Sequence, residues 1–583
     1  VRPRLLLYAL AALLVAAIVF IAFEKAGYIK RRFMPHPAKK AEVPVKETSI
    51  SQKVGECIRD RVESARVQPG LLAEGERIYD PQTVSSFYEQ RTYRPLWCCG
   101  KGAFDAAQNL LDAIGKAGDE GLGAEDYHTA AITALLEKLN TDVKKREDPE
   151  LLSDLELLLT DAFFAYATHL HYGRVNPESI TPDWRVRQKD GELSLLLERT
   201  AQKGNAEEAL MGLLPEKDGY TKLKDALGLY REIEAGGGWK KVSPGPKMEA
   251  GPGGERILQL RERLSATGDF ALPEGGDKEG KDAAVFDEGL MDAVKRFQQR
   301  HGLEPDGVVG PATLEALNVP VSWRIRQIEL NMERMRWLPG DLGRRHIIVN
   351  IANYGLDIVE AEKTVLSMKV VVGKKFRSTP VFSETMTYLV FNPYWHIPKL
   401  IAVEDKLPET LKNPGYLKNQ GIRVFKGWGA QAKEVGHDSV DWASLNEKNF
   451  PYRLRQDPGP KNALGRVKFM FPNKYNVYLH DTPSQGLFKK NVRAFSSGCI
   501  RIEKPADMAE YALRGEPNWS REKILSIMKT AKEKTVKLPE PIPVHLIYLT
   551  AWVSGDGSIN FRNDIYKRDK ALSDALLEPP SIK

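Results

Sequence analysis

The sequence predicts a multidomain α+β protein, with helical units preceding a β-rich C-terminal domain. Three observations lead there. The chain has 583 residues, and at about 100–200 residues per domain this requires several cores. Helical periodicity dominates residues 71–230 and returns in a compact unit over 257–318, whereas after Arg345 apolar residues come in short β-rich runs. A Gly/Pro-rich break at 234–254, EAGGGWKKVSPGPKMEAGPGG, separates the two helical regions. Hydrophobic residues at 42% and charged residues at 28% exclude wholesale disorder, collagen and coiled coil. The net charge of +7 is diluted by acidic residues along the whole chain, so nucleic acid is not expected as a partner.

The first element is apolar. Residues 5–23 read LLLYALAALLVAAIVFIAF without a charge, and a helix of that length spans about 28 Å, close to a bilayer's hydrocarbon core. The run is too long for a typical cleaved signal, so residues 1–24 are expected to be an uncleaved transmembrane anchor on the cytoplasmic membrane. Basic residues flank it on both sides (Arg2, Arg4, then Lys25, Lys30, Arg31, Arg32), and long domains translocate largely regardless of such charges. Residues 25–70 are basic, contain proline and lack apolar periodicity, as a linker would. Residues 71–233 follow as a helical domain, in which 151–169 (LLSDLELLLTDAFFAYATH) is apolar enough to be buried. A small helical unit occupies 255–320. Strand-like runs then fall at 346–351, 356–359, 366–372, 388–391, 467–471 and 477–480, and Ser554-Gly555-Asp556-Gly557 marks a hairpin. The β-rich domain is thus expected over 345–570.

Weaker signals are set aside. GGDKEGKD at 275–282 falls short of a phosphate loop, because Asp282 replaces the Ser/Thr and no strand precedes it. His169 and His171 would face different ways on a helix, and the cysteines at 57, 98, 99 and 499 match no zinc spacing. No metal is expected. In an oxidising compartment Cys57 could pair with Cys98 or Cys99.

The chemistry concentrates around Cys499. A thiol acts as a nucleophile when a base or a positive field produces thiolate. His480 ends a strand-like run, and the nineteen residues to Cys499 leave ample chain to bring imidazole beside sulfur. Gly498 permits a tight turn there, with backbone N–H groups available to a developing oxyanion. No Gly-x-Ser-x-Gly elbow offers a competing serine.

The pattern His480 … Ser497-Gly498-Cys499-Ile500-Arg501 resembles the signature of the L,D-transpeptidase (YkuD-like) catalytic domain, specifically its YcbB-like branch. Many relatives have His at the position of Ser497 and Asn at that of Arg501; both departures match that branch. Val371-Val372-Gly373-Lys374 and Tyr388-Leu389-Val390-Phe391-Asn392-Pro393-Tyr394-Trp395 agree. The resemblance implies a β-rich catalytic domain with Cys499 as nucleophile, His480 as its base, and Asp481 orienting the imidazole through its backbone carbonyl. Gly498 and Ser497 complete the catalytic turn, and Tyr478, Trp395 and Arg501 line the donor site. Core packing for the two aromatic residues and a solvated surface charge for Arg501 are the alternatives. Residues 255–320, with Gly302-Leu303-Glu304-Pro305-Asp306-Gly307, are similar to the small three-helix peptidoglycan-binding domain, and 71–233 to the family's helical scaffold. The implied activity is formation of 3-3 diaminopimelate crosslinks between peptidoglycan stem peptides through a cysteine thioester, without a cofactor, in the periplasm. L,D-carboxypeptidase or crosslink hydrolysis is the nearest alternative, and a non-catalytic wall-binding anchor the more distant one. The long stretch after Trp395, about 401–465, is expected to cap the site.

Overall fold

The computed structural model describes residues 49–66, 70–98, 103–142, 144–180, 193–216, 218–271, 284–427 and 429–580. The apolar run at 5–23, Cys99 and the stretch 275–282 lie outside these residues. Among the described residues no helix is long and apolar enough to cross a membrane.

Helices α1 (Ser49–Ala65), α2 (Pro81–Gln90), α3 (Ala103–Gly115) and α4 (Thr129–Thr141) each pack on α5 (Pro149–Tyr172). Asp148 caps α5 by accepting the Glu150 and Leu151 N–H groups, and Pro149 occupies its first turn. Residues 152–167 of α5 are buried throughout, as a helix apolar on all sides must be. Its three buried carboxylates bind loop backbone, Asp154 accepting the Glu74 N–H at 2.8 Å. Glu156 accepts N–H groups from Leu96 (2.8 Å) and Cys98 (2.7 Å), and Asp161 those of Tyr79 (2.7 Å) and Asp80 (3.2 Å).

The expected linker over 25–70 needs correction at its end. Residues 49–65 form α1, because Val54, Ile58 and Val62 recur every four residues and enter the helical core. Cys57 donates to Glu150 at 3.4 Å and forms no disulfide with Cys98.

Helix α6 (Asp218–Ala235) leaves that core and packs on α10 (Val321–Arg336). Between them in sequence, α7 (Glu255–Ser265), α8 (Glu288–Arg300) and α9 (Pro311–Leu317) close over Ile257, Leu260, Leu264, Val294, Phe297 and Leu317. Gly307 turns there at φ +76°, and the Gln298 amide spans the turn, accepting the Gly307 N–H and donating to Asp306.

The C-terminal domain is built on β1 (Arg345–Asn350), β2 (Gly355–Glu360), β3 (Lys363–Gly373), β4 (Phe382–Phe391), a cap bearing β5–β8, then β9 (Val467–Met470), β10 (Leu479–His480), β11 (Ala494–Ser496), β12 (Ile500–Ile502) and β13 (Lys534–Ile547). Strand order is β11-β3-β12-β10-β9-β4-β13-β1-β2, and β2 pairs back onto β3, closing a barrel-like sheet. Inward residues such as Val349, Leu389, Phe469, Leu479, Ile500 and Val544 form its core. Residues 395–464 form the cap, which begins six residues before the expected insertion. Its sheet has the order β7 (Lys433–Val435), β6 (Ile422–Lys426), β8 (Tyr452–Gln456), β5 (Trp395–Ile397), with a core of its own.

Candidate active site

Register assembles the site. Strands β9, β10 and β12 are neighbours, with Lys468 opposite His480 and His480 opposite Arg501. Directly paired residues share a face, and faces alternate along each strand. Since Phe469, Leu479 and Ile500 point into the barrel core, Lys468, Tyr478, His480, Cys499 and Arg501 stand together on the outer face. The structure therefore brings together the thiol, the imidazole, Tyr478 and Arg501 expected from sequence.

His480 is buried, with Nδ1 2.6 Å from the Asp481 carbonyl oxygen. A carbonyl only accepts, so Nδ1 carries the proton and Nε2 keeps its lone pair. Burial, reinforced by the Arg501 charge, pushes this imidazole down to about 3. It is a neutral base at physiological pH. The Asp481 carboxylate faces away, accepting the Arg466 N–H at 2.8 Å and the Thr482 N–H at 2.7 Å, and burial pushes its pKa up. Asp481 thus meets the imidazole through its backbone alone.

Cys499 is half-buried. Its Sγ donates to the Asn476 carbonyl at 3.7 Å. Burial raises its pKa, opposed by the neighbouring Tyr478 and by the charges of Arg501 and Lys468. The resting pair is consequently a neutral thiol beside a neutral imidazole, in surroundings prepared for a thiolate. Gly498 holds φ +114°, a conformation closed to most side chains. The turn is pinned from three sides. Ser496 Oγ accepts the Gly498 N–H (3.2 Å) and donates to the Cys499 carbonyl (2.5 Å), while Thr379 Oγ1 donates to the Gly498 carbonyl (2.8 Å). Ser497 is turned away from the thiol, its Oγ accepting from Arg377 at 2.8 Å.

Trp395 lies in the cap core with Ile397, Leu407 and Leu454, and Tyr478 packs against the same cluster. Its ring is 9% exposed and faces Lys406 Nζ at 5.4 Å. Tyr478 is therefore the link between cap and thiol, its ring edge-on to His480 at 5.8 Å. Arg501 is half-buried, forms no ion pair among the described residues, and keeps a buried Nε without a partner. Sequence reasoning overlooked Lys468 and Arg377. The alternation Val467-Lys468-Phe469 signalled an outward lysine, but only strand pairing places it beside His480.

Residues 344–519 match the L,D-transpeptidase catalytic domain, 82–227 a "Scaffold domain", and 253–317 a "Putative peptidoglycan binding domain". A "Putative L,D-transpeptidase" of Haemophilus influenzae is 34% identical over 258 residues, covering 44% of this chain and 51% of that one. The N-acetylmuramoyl-L-alanine amidase CwlL of Bacillus licheniformis is 39% identical over 75 residues, 13% of this chain and 19% of that one. This chain thus spans about half the length of the first relative and less of the second. Among solved structures, an L,D-transpeptidase from Mycobacterium smegmatis (11% identity, TM-score 0.16, covering 35% of this chain and 58% of that one) and another from Xylanimonas cellulosilytica (16%, TM-score 0.16, 52% and 98%) superpose too loosely to bear on the architecture. From the barrel-like sheet, the residues grouped on its outer face and the matched segments together, the chain carries an L,D-transpeptidase catalytic domain joined to a scaffold domain and a domain of the peptidoglycan-binding type.

Proposed function

We propose that the chain is a peptidoglycan L,D-transpeptidase that forms 3-3 diaminopimelate crosslinks through a thioester on Cys499. The observation that supports it most is the neutral thiol just before β12, next to a neutral imidazole whose Nε2 is free to accept a proton. His480 takes the thiol proton as Cys499 attacks the carbonyl joining diaminopimelate to the terminal D-alanine. Arg501, Lys468 and the neighbouring Tyr478 stabilise the sulfur charge as it develops, and backbone N–H groups of the Gly498 turn are available to the oxyanion. The imidazolium then protonates the leaving amine, D-alanine departs, and the thioester remains. A diaminopimelate side-chain amine of a second stem attacks it, gives its proton to His480 and regenerates the thiol. We further propose that residues 5–23 anchor the chain in the inner membrane by a single span, with the catalytic domain in the periplasm and stem peptides as its partners; this part rests on the sequence.

Mass spectrometry of wild type and Cys499→Ala with disaccharide-tetrapeptide tests the reading. Wild type is expected to give free D-alanine and a tetrapeptide–tripeptide dimer, and to form an adduct with a carbapenem. Cys499→Ala is expected to give none of these, and His480→Ala to slow acylation by about 10²–10⁴. Tripeptide monomer without dimer would favour the L,D-carboxypeptidase alternative. An unchanged adduct on Cys499→Ala would remove the thiol from the mechanism.

A further inference from the structure

One cation at this site exchanges no proton with thiol, imidazole or substrate. Lys468 lies one strand beyond His480 on the outer face, half-buried, and forms no ion pair within 4.0 Å among the described residues. Glu533, the acid that acts on it most, already accepts the Tyr394 N–H at 2.9 Å. Beside it the Lys468 ammonium faces the Tyr478 ring at 5.7 Å. Taking a lysine partly out of water without pairing it is unfavourable, so a ligand that completes the site must be negatively charged.

The order of strands indicates which negative charge. Across the sheet the thiol immediately precedes β12, the imidazole is on β10 and the lysine on β9, about 4.8 Å from strand to strand. A scissile carbonyl over sulfur puts its nitrogen toward the imidazole that protonates it. The departing residue then extends onward, toward β9, and its α-carboxylate is two bonds past that nitrogen. Arg501 sits on β12, on the opposite side of the imidazole, and is left for the portion of the donor that stays attached.

We propose that Lys468 is a specificity-determining residue that holds the terminal carboxylate of the amino acid released from the acyl donor. The proposal rests on the transpeptidase reading above and deepens it. It means that the site accepts stems ending one residue after the scissile bond, since an added residue or a terminal amide moves or removes the charge the ammonium pairs with.

The test compares donors ending in free D-alanine, D-alaninamide and D-alanyl-D-alanine, with release of the terminal group as readout. Wild type is expected to favour the free acid over the amide by about 10- to 100-fold in kcat/KM, carried mainly by KM, as loss of one charge-assisted contact implies. Lys468→Gln should lose that preference, and Lys468→Arg should restore most of it. Removing the lysine charge should raise the pH midpoint for alkylation of Cys499 by iodoacetamide in Lys468→Gln, an effect that acts on acid and amide donors alike and so leaves their ratio to report the carboxylate contact. Equal use of acid and amide by wild type overturns the proposal without any variant. So does a Lys468→Gln enzyme that keeps the preference. Absence of both D-alanine release and a carbapenem adduct in wild type would instead overturn the transpeptidase reading, and this proposal with it.

Discussion

Gly465 looks remote from catalysis, yet it decides where the imidazole sits. Its φ is +62°, and a Cβ added there would lie 2.4 Å from Asp481 Cγ and 2.5 Å from Asp481 Cβ. Asp481 cannot yield easily, since its carboxylate bridges the Arg466 and Thr482 N–H groups while its carbonyl holds His480 Nδ1. Gly465→Ala therefore combines left-handed strain with a collision against the residue that sets the imidazole tautomer. The expected result is a stability loss of about 2–4 kcal/mol and a larger fall in kcat than in KM. Thermal melts together with D-alanine release check both. A variant that melts lower but keeps full kcat would mean that Asp481 does not orient His480.

At the scale of elements, a second side chain besides Tyr478 ties the cap to the catalytic turn. Arg377, in the segment after β3, pairs with Glu404 and Asp405 (2.7 Å to the latter) and donates to Ser497 Oγ next to Gly498. Both acids belong to residues Ala402–Lys406, a widened helical turn in which the Leu407 N–H reaches the Ala402 carbonyl. Such turns recur at functional sites. The guanidinium is 6% exposed, and its removal leaves Glu404 without its Arg377 partner and Asp405 with Lys374 alone, 3.9 Å away, beside the catalytic turn. Because a thioester must outlast the wait for an amine, the cap's position bears on water access. Arg377→Met is expected to lower donor turnover about tenfold and raise the share of hydrolysed over crosslinked product. An unchanged product ratio in a folded Arg377→Met enzyme would sink the view that the cap acts as a lid.

Over the whole molecule, buried uncharged histidines couple fold stability to pH. His169 in α5 hydrogen-bonds the Tyr127 hydroxyl at 3.0 Å, and burial, with Arg174 and Arg336 adding to it, pushes its pKa down to about 3. His480 is held equally low. Above the unfolded value near 6.5 neither group disfavours folding. As pH falls below it, the unfolded chain takes up protons that the native state refuses, so stability drops progressively and levels off only near 3. At pH 5 each group accounts for about 2 kcal/mol of loss. The gap in denaturant stability between pH 7.5 and pH 5 should therefore shrink by about that amount in His169→Gln. An identical gap in wild type and variant would place the pH sensitivity elsewhere.

Local patterns by themselves determined much of this protein. Apolar residues on all sides of 151–169 required a buried helix, and short β-branched and apolar runs at 346–351, 356–359 and 467–471 predicted strands, since both signals depend on local residue types alone. The Cys499 turn was legible because Gly498 and its neighbours carry their chemistry in a contiguous motif. Two long elements were not legible. Helix α10 reads VSWRIRQIELNMERMR, a surface by composition, yet Asn331 and Arg334 are buried because Thr550 and Asp569 of the C-terminal domain meet them. Strand β13 holds Pro539, Pro541 and Pro543, which argue against a strand until its register break between Lys537 and Ile542 accommodates two of them. Partners hundreds of residues away supplied what each segment lacked. Lys468 beside His480 and Arg377 against the cap are of the same kind: which charges become neighbours is set by strand order and register, and only the closed tertiary structure decides those.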